Sequence, residues 1–174
     1  MQLTVLRTSI VVMGLIYIIT NPSYPLALKL VFKLIPMGLI IYYAFKLAPR
    51  EKNLTHYFIF TGLVFSIIAD GAIIYSFIAG LIFFLIGHLF YIGSFSRHFQ
   101  FSWPRTISLI VLLIYSAILG GQLVHALLHH NQNELVIPVI IYILAIMFMC
   151  WLAILTHNIW VTIGSILFVI SDSI

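Results

Sequence analysis

This sequence contains very few charged residues. Only 7% of its 174 residues are Asp, Glu, Lys or Arg, whereas a soluble domain carries about a quarter. Hydrophobic residues make up 63%, and the mean hydropathy is +1.20. So few polar side chains cannot cover a folded surface in water, which excludes a soluble globular domain. Alternating strand patterns are also missing, and a chain in a bilayer must pair its own backbone groups. The composition therefore predicts an all-α, polytopic transmembrane helix bundle.

Cysteine is almost missing as well. The single Cys150 excludes an intramolecular disulfide framework and a cysteine-based zinc site. Its apolar surroundings favour a small buried side chain. The net charge of +4 comes from loop lysines and arginines and does not indicate a nucleic-acid surface. His125 and His129 lie four residues apart, but no third ligand follows at matching spacing, so the indication of a metal site is weak.

Seven apolar segments of helical length follow one another, and we expect them to form a single integral membrane domain over residues 1–174. No small-residue cleavage site follows the first segment, so it is predicted to be a span and not a signal peptide. Turns rich in polar residues and proline separate the segments. The predicted spans are about 3–20, 25–46, 54–75, 77–95, 105–127, 135–155 and 158–174.

The loops predict an orientation. Short loops rich in Lys and Arg face the cytoplasm. The loops 47–53 and 96–104 are basic, whereas the turn 21–25 and the loop 128–134 carry no lysine or arginine. This alternation predicts a cytoplasmic N-terminus, in the inner membrane if the host is a bacterium.

Charged side chains inside the predicted spans are costly and therefore mark candidate sites. From the rise of a helix, Lys33 lies about 14 Å below the outer face, and Asp70 and Asp172 lie about 9 Å below it. Two carboxylates at one depth suit general acid/base chemistry, with one protonated and the other ionised. A purely structural pairing of the aspartates with Lys33 is the alternative. Lys29 fits a side chain that reaches back to the interface.

Further polar groups fall in the outer half of the predicted bundle, namely Ser66, His88 and Tyr142. His88 is consistent both with a hydrogen-bonded core histidine and with a catalytic group. Ser66 lacks a Gly-x-Ser-x-Gly elbow, which favours a hydrogen bond to its own helix. The fourth span also carries Gly80 and Gly87 on one helical stripe, which indicates close helix packing.

One spacing recurs along the chain. Gly62 precedes Asp70 by eight residues, and Gly164 precedes Asp172 by the same interval, 102 residues later. Two prolines, in the second and sixth spans, differ by the same offset. Parallel repeats of spans occur in membrane proteins, and chance recurrence is the alternative. If spans 1–4 recur as spans 5–8, the sequence is expected to stop one helix short.

Four motifs stand in order along the chain. They are Lys33-x-x-Pro36-Met37, Gly62-Leu-x-Phe-Ser66-x-x-x-Asp70, Gly80-Leu-x-x-Phe84-x-x-Gly87-His88-x-x-Tyr91 and Gly164-x-x-x-Phe168-x-x-Ser171-Asp172. Together they resemble the YhhN-like family of membrane proteins, whose characterised members are lysoplasmalogenases. The similarity runs from the second span to the end. It implies an eight-helix bundle with an active site inside.

The resemblance implies hydrolysis of the vinyl ether bond of a lysoplasmalogen, a lysophospholipid taken from membrane lipid. The products are a fatty aldehyde and a glycerophospho-ethanolamine or -choline. No metal or organic cofactor is implied. Such a reaction needs an acid and a base, and we assign these roles to Asp70 and Asp172. The residues assigned to substrate binding or support are Lys33, Lys29, Ser66, His88, Tyr91, Tyr142 and Ser171.

Two other classes of function stay open at this point. The intramembrane Asp/Lys cluster and the recurring spacing also fit a small-solute or proton-coupled transporter. A sensor or structural membrane protein without turnover is the third hypothesis. Aldehyde release from a lysoplasmalogen separates the first class from the other two.

Overall fold

Every regular element in the described part of the chain is helical, which confirms the predicted all-α fold. The computed structural model describes residues 4–6, 8–10, 12–13, 16, 26–47 and 53–172. Its α-helices are α1 (Leu26–Leu47), α2 (Leu54–Tyr75), α3 (Phe77–Phe95), α4 (Trp103–Thr106), α5 (Ser108–His129), α6 (Val136–Leu155) and α7 (Ile159–Asp172). Single 3₁₀ turns, Ser96–His98 and Asn133–Leu135, precede α4 and α6.

Several of these helices have the length and composition of membrane spans. Among the described residues, four helical stretches are long and apolar enough to cross a bilayer: Leu54–Tyr75, Phe77–His98, Trp103–His129 and Asn133–Leu155. Leu34–Leu47 and Ile159–Asp172 are shorter apolar helices. The chain is therefore a helical membrane protein. Half of the predicted span 3–20 and most of the basic loop 47–53 lie outside the described residues, so the count of seven spans stays a prediction, as does the orientation.

Local sequence features explain where several of the helices begin and end. α2 and α3 have the predicted bounds, and only Ser76 separates them. The fifth predicted span starts earlier than expected, because Pro104 is accommodated in the first turn of α4, where a missing N–H costs little. It ends later than expected, and the chain turns at Asn131, whose φ is 57°. The turn predicted at His157 and Asn158 is present, and the Asn158 Oδ1 accepts a hydrogen bond from the Trp160 N–H at 3.0 Å.

Contacts divide the chain into two compact units, Met1–Gly87 and His88–Ile174. The boundary falls within α3. In the first unit, α1 packs against α2. The Asn53 side chain caps α2 by accepting a hydrogen bond from the His56 N–H. The buried residues of α2 recur at helical spacing and form one face, which comprises Gly62, Ser66, Ala69 and Asp70.

The first part of α3 packs closely on α2. A Cβ added to Gly87 would lie 3.2 Å from the Gly62 carbonyl oxygen. A Cβ added to Gly80 would lie 2.6 Å from the Ile73 Cβ and 2.7 Å from its Cα. These distances confirm the prediction that both glycines serve close helix packing.

The second unit is organised around α6, which packs against both α5 and α7. The side chain of Cys150 on α6 is fully buried, as predicted, and its thiol donates to the Ser165 Oγ of α7 at 3.7 Å. At the end of α6, the Leu155 carbonyl accepts from the Gln100 N–H at 3.1 Å. The Arg105 guanidinium donates to the Ile154 carbonyl at 3.2 Å. These bonds fasten the end of α6 to the connection between α3 and α5.

Replacing Gly80 by Ala is expected to destabilise the α2–α3 pair. The added methyl group meets Ile73 backbone and Cβ atoms, which cannot rotate away, and overpacking of this kind costs about 1–3 kcal/mol. Thermal unfolding of the purified protein in detergent measures the effect. Gly71→Ala is the matched control, because nothing lies within 4 Å of its added Cβ and alanine favours a helix. Equal melting temperatures for the two variants would contradict the packing argument.

Candidate active site

Three helices of the second unit each supply one polar side chain to a hydrogen-bonded chain. His88 comes from α3, Tyr142 from α6 and Asp172 from the last turn of α7. The His88 Nε2 lies 3.2 Å from the Tyr142 hydroxyl oxygen. The Tyr142 hydroxyl donates to the Asp172 Oδ2. The structure thus brings together three of the predicted site residues.

Proton counting assigns the tautomer of His88. A tyrosine hydroxyl carries one proton, and here it goes to Asp172. With the Tyr142 proton on this bond, the Tyr142 oxygen accepts from a proton on the His88 Nε2, and the Nδ1 of this tautomer carries a lone pair. That Nδ1 is buried and has no hydrogen-bond partner in the described part of the chain. A buried acceptor in this state marks a functional or water-binding position.

Aromatic rings hold the imidazole in place. The His88 ring is fully buried. Phe168 of α7 meets it edge-on, with ring centroids 5.3 Å apart and an interplanar angle of 82°. Tyr91, one turn further along α3, is buried and lies 6.4 Å from His88 by ring centroids. The rings limit the orientations open to the imidazole.

The spacing of the last motif explains how α7 reaches this group. Phe168 and Asp172 are four residues apart, so they project from one helix face. Phe168 contacts His88, and Asp172 contacts Tyr142. Ser171 falls on a different face, and both Ser171 and Asp172 are exposed at this end of α7. The Gly164 that precedes this face has nothing within 4 Å of an added Cβ.

A cavity of about 440 Å³ adjoins Tyr142 and Asp172. Residues of α5, α6 and α7 line it. Three of its polar lining residues, Tyr115, Ser116 and Gln122 on α5, were not among the predicted site residues. Polar side chains in a membrane span usually face the protein interior, and this rule applied to the fifth span is the signal that could have found them.

In the first unit, two predicted site residues lie on the buried face of α2. Ser66 is 1% exposed, and its hydroxyl donates to the Gly62 carbonyl at 3.0 Å, which confirms the expected bond to its own helix. Asp70, one turn later, is 4% exposed. Lys29 and Lys33 belong to α1, but their side chains lie outside the described part of the chain, so their roles stay predictions.

Metal binding was the weakest expectation from the sequence. Among the side chains that the structure describes, no three His, Cys, Asp or Glu residues converge. His125 and His129 are both exposed on the last turns of α5. The second unit therefore brings together a carboxylate, a phenol and an imidazole, which are joined by hydrogen bonds in that order.

Comparison with known proteins identifies the family. The model described as the YhhN family matches residues 28–174. Two proteins named lysoplasmalogenase, from Mycobacterium bovis and Mycobacterium tuberculosis, are each 34% identical to this chain over 104 residues. The match covers 57% of this chain but only 39% of the length of each relative. No solved structure matches the chain. The chain belongs to the YhhN family.

Proposed function

We propose that this chain is a membrane-embedded lysoplasmalogenase, which hydrolyses the vinyl ether bond of a lysophospholipid. The observation that carries the proposal is the similarity to two proteins of that name within the YhhN family. The Asp172 carboxylate supports it, because it borders a cavity between apolar helices and is held by Tyr142. An intramembrane carboxylate next to a cavity is a functional site by default.

The reaction proceeds through acid and base steps. An acid transfers a proton to the alkene carbon remote from the ether oxygen, which leaves an oxocarbenium ion at the other alkene carbon. Water adds to that ion and loses a proton to a base. The hemiacetal then collapses to an aldehyde and the free glycerol hydroxyl. One water is consumed and the acid and base are restored, as in the carboxylate pairs of glycosidases.

The hydrogen bond from Tyr142 suggests which role Asp172 takes. The Tyr142 hydroxyl donates to the Asp172 Oδ2, so this oxygen acts as an acceptor in the structure, as a base that removes a proton from water does. We therefore assign the base to Asp172 and, following the sequence prediction of two carboxylates, the acid to Asp70. Tyr142 and His88 are positioning residues that act on Asp172. Lys33, with Lys29, is assigned to the lipid phosphate.

Replacing either aspartate by asparagine is expected to abolish most turnover. Loss of a general acid or base lowers kcat about a hundredfold to ten-thousandfold. The measurement is aldehyde release from a lysoplasmalogen by the purified protein in detergent or vesicles. Glu134→Gln is the matched control, because Glu134 is an exposed carboxylate in the connection before α6, and this variant should keep full activity.

Two outcomes would contradict the assignment. Full activity of Asp70→Asn or Asp172→Asn would remove that residue from the catalytic pair. A wild-type protein that releases no aldehyde, but exchanges a labelled solute across vesicles in a counterflow assay, would support the transporter hypothesis instead.

Tyr142→Phe is expected to lower kcat with little change in KM. The variant removes the hydroxyl that donates to Asp172 and accepts from His88. A hydrogen bond to a charged group contributes about 1.5–3 kcal/mol, so a loss of about ten- to a hundredfold follows. Tyr75→Phe, at the exposed end of α2, is the control and should behave as wild type. A normal kcat for Tyr142→Phe would show that Asp172 works without this bond.

A further inference from the structure

We infer that the cleft between α5 and α7, floored by α6, binds the single hydrocarbon chain of the lysolipid with its ether end at Tyr142 and Asp172. The inference rests on the proposed function and extends it from the chemical step to recognition of the substrate chain. The cleft is the cavity of about 440 Å³ described above, a size within the range of about 300–1,000 Å³ of small-molecule sites.

The cleft is elongated along the helices. On α5 its lining runs from Leu112 to Leu123, which corresponds to about 16 Å along the helix axis. On α6 it runs from Tyr142 to Met147, and on α7 it includes Val169 and Asp172. α6 packs against both neighbours and therefore forms the floor of the cleft between them.

Three of the polar side chains that line the cleft, Gln122, Tyr142 and Asp172, lie at its end near the turn between α5 and α6. α5 and α6 are joined by a short turn and run in opposite directions, so residues near the turn share a level. Gln122 lies near the end of α5 and Tyr142 near the start of α6, where Tyr142 bonds to Asp172. Leu112 and Met147 are farther from the turn. The carboxylate and the amide of the lining thus lie at the end near the turn, whereas the far end is lined by Leu112 and Met147 together with the phenol ring of Tyr115.

Two small residues of α5 line the middle of the cleft. Ser116 and Gly120 lie one turn apart on α5, and both line the cleft. The Ser116 hydroxyl donates to the Leu113 carbonyl at 3.0 Å and lies 3.3 Å from the Met147 sulfur. Because the Ser116 hydroxyl already donates its proton to a carbonyl of its own helix, it needs no hydrogen-bond partner from a ligand in the cleft. The middle therefore suits methylene groups.

The polar side chains near the turn argue for this occupant over an ordinary membrane lipid chain or an apolar helix. A purely apolar occupant would cover Asp172 without bonding to it, and a carboxylate covered by hydrocarbon is costly. A lysolipid places its ether oxygen and glycerol hydroxyl where the chain begins, next to Asp172, Tyr142 and Gln122. One molecule thereby satisfies both ends of the cleft.

The test uses a photoactivatable lysophosphatidylethanolamine with a diazirine at the middle of its chain. The purified full chain is labelled in phosphatidylcholine vesicles, and mass spectrometry locates the labelled residues. We expect labelling at cleft residues such as Leu119 and Met147, abolished by excess unlabelled lysophosphatidylethanolamine. Labelling confined to the outward face of α5, at Ile114 and Ile118, and insensitive to competitor would overturn the inference.

Two matched variants sharpen the test. Ser116→Leu fills the middle of the cleft and is expected to reduce cleft labelling about tenfold. Ala117→Leu adds the same side chain at the next residue, which is exposed and does not line the cleft, and should label as wild type. Leu119→Trp is a second filling variant in case Ser116→Leu does not fold. Unchanged labelling in a folded filling variant would overturn the inference.

Labelling of the cleft tests the chain-binding site, and aldehyde release tests the proposed reaction, so one result can fail without the other. Competed labelling of the cleft without aldehyde release would uphold the chain-binding site and reject the proposed reaction. Aldehyde release with labelling only on the lipid-facing surface would uphold the reaction and reject the cleft as the chain site.

Discussion

Hydrocarbon offers no hydrogen bonds, so a polar side chain within a membrane must find its partners inside the protein. In the second unit this constraint is met by a relay from His88 through Tyr142 to Asp172. Because each member comes from a different helix, the relay specifies how α3, α6 and α7 are rotated about their axes. An apolar contact would tolerate several rotations, whereas this chain of bonds tolerates few. The same bonds that order the helices also orient a carboxylate beside a cavity.

The hydrogen-bonded carboxylate and the cleft are consequences of one arrangement. α6 carries Tyr142 toward Asp172 and also forms the floor between α5 and α7. In the proposed complex, a lysolipid chain in the cleft is aligned with its ether bond at the carboxylate, and alignment of this kind can supply much of a rate enhancement.

Much of the fold was predictable because bilayer thickness sets helix length. Asn53 and Ser76 mark the ends of α2, and its predicted bounds agree with the structure. Depth along the helices predicted a common layer for Tyr142 and Asp172 in the outer half of the bundle, and the structure brings the two side chains into contact. Their direct contact was not predictable, because spans that are apolar on every side carry no signal for their rotation. The cleft was missed for a related reason: nothing in the sequence around Ser116 and Gly120 shows that these small residues line a cavity between helices.

The most direct test of the proposed reaction locates the proton that is transferred to the alkene carbon. Hydrolysis of a lysoplasmalogen by the purified protein is run in D₂O, and the aldehyde is reduced to an alcohol as it forms so that later exchange is prevented. Protonation of the alkene predicts a single solvent deuterium on the carbon next to the former carbonyl. An aldehyde without solvent deuterium at that carbon would contradict acid-catalysed opening of the vinyl ether.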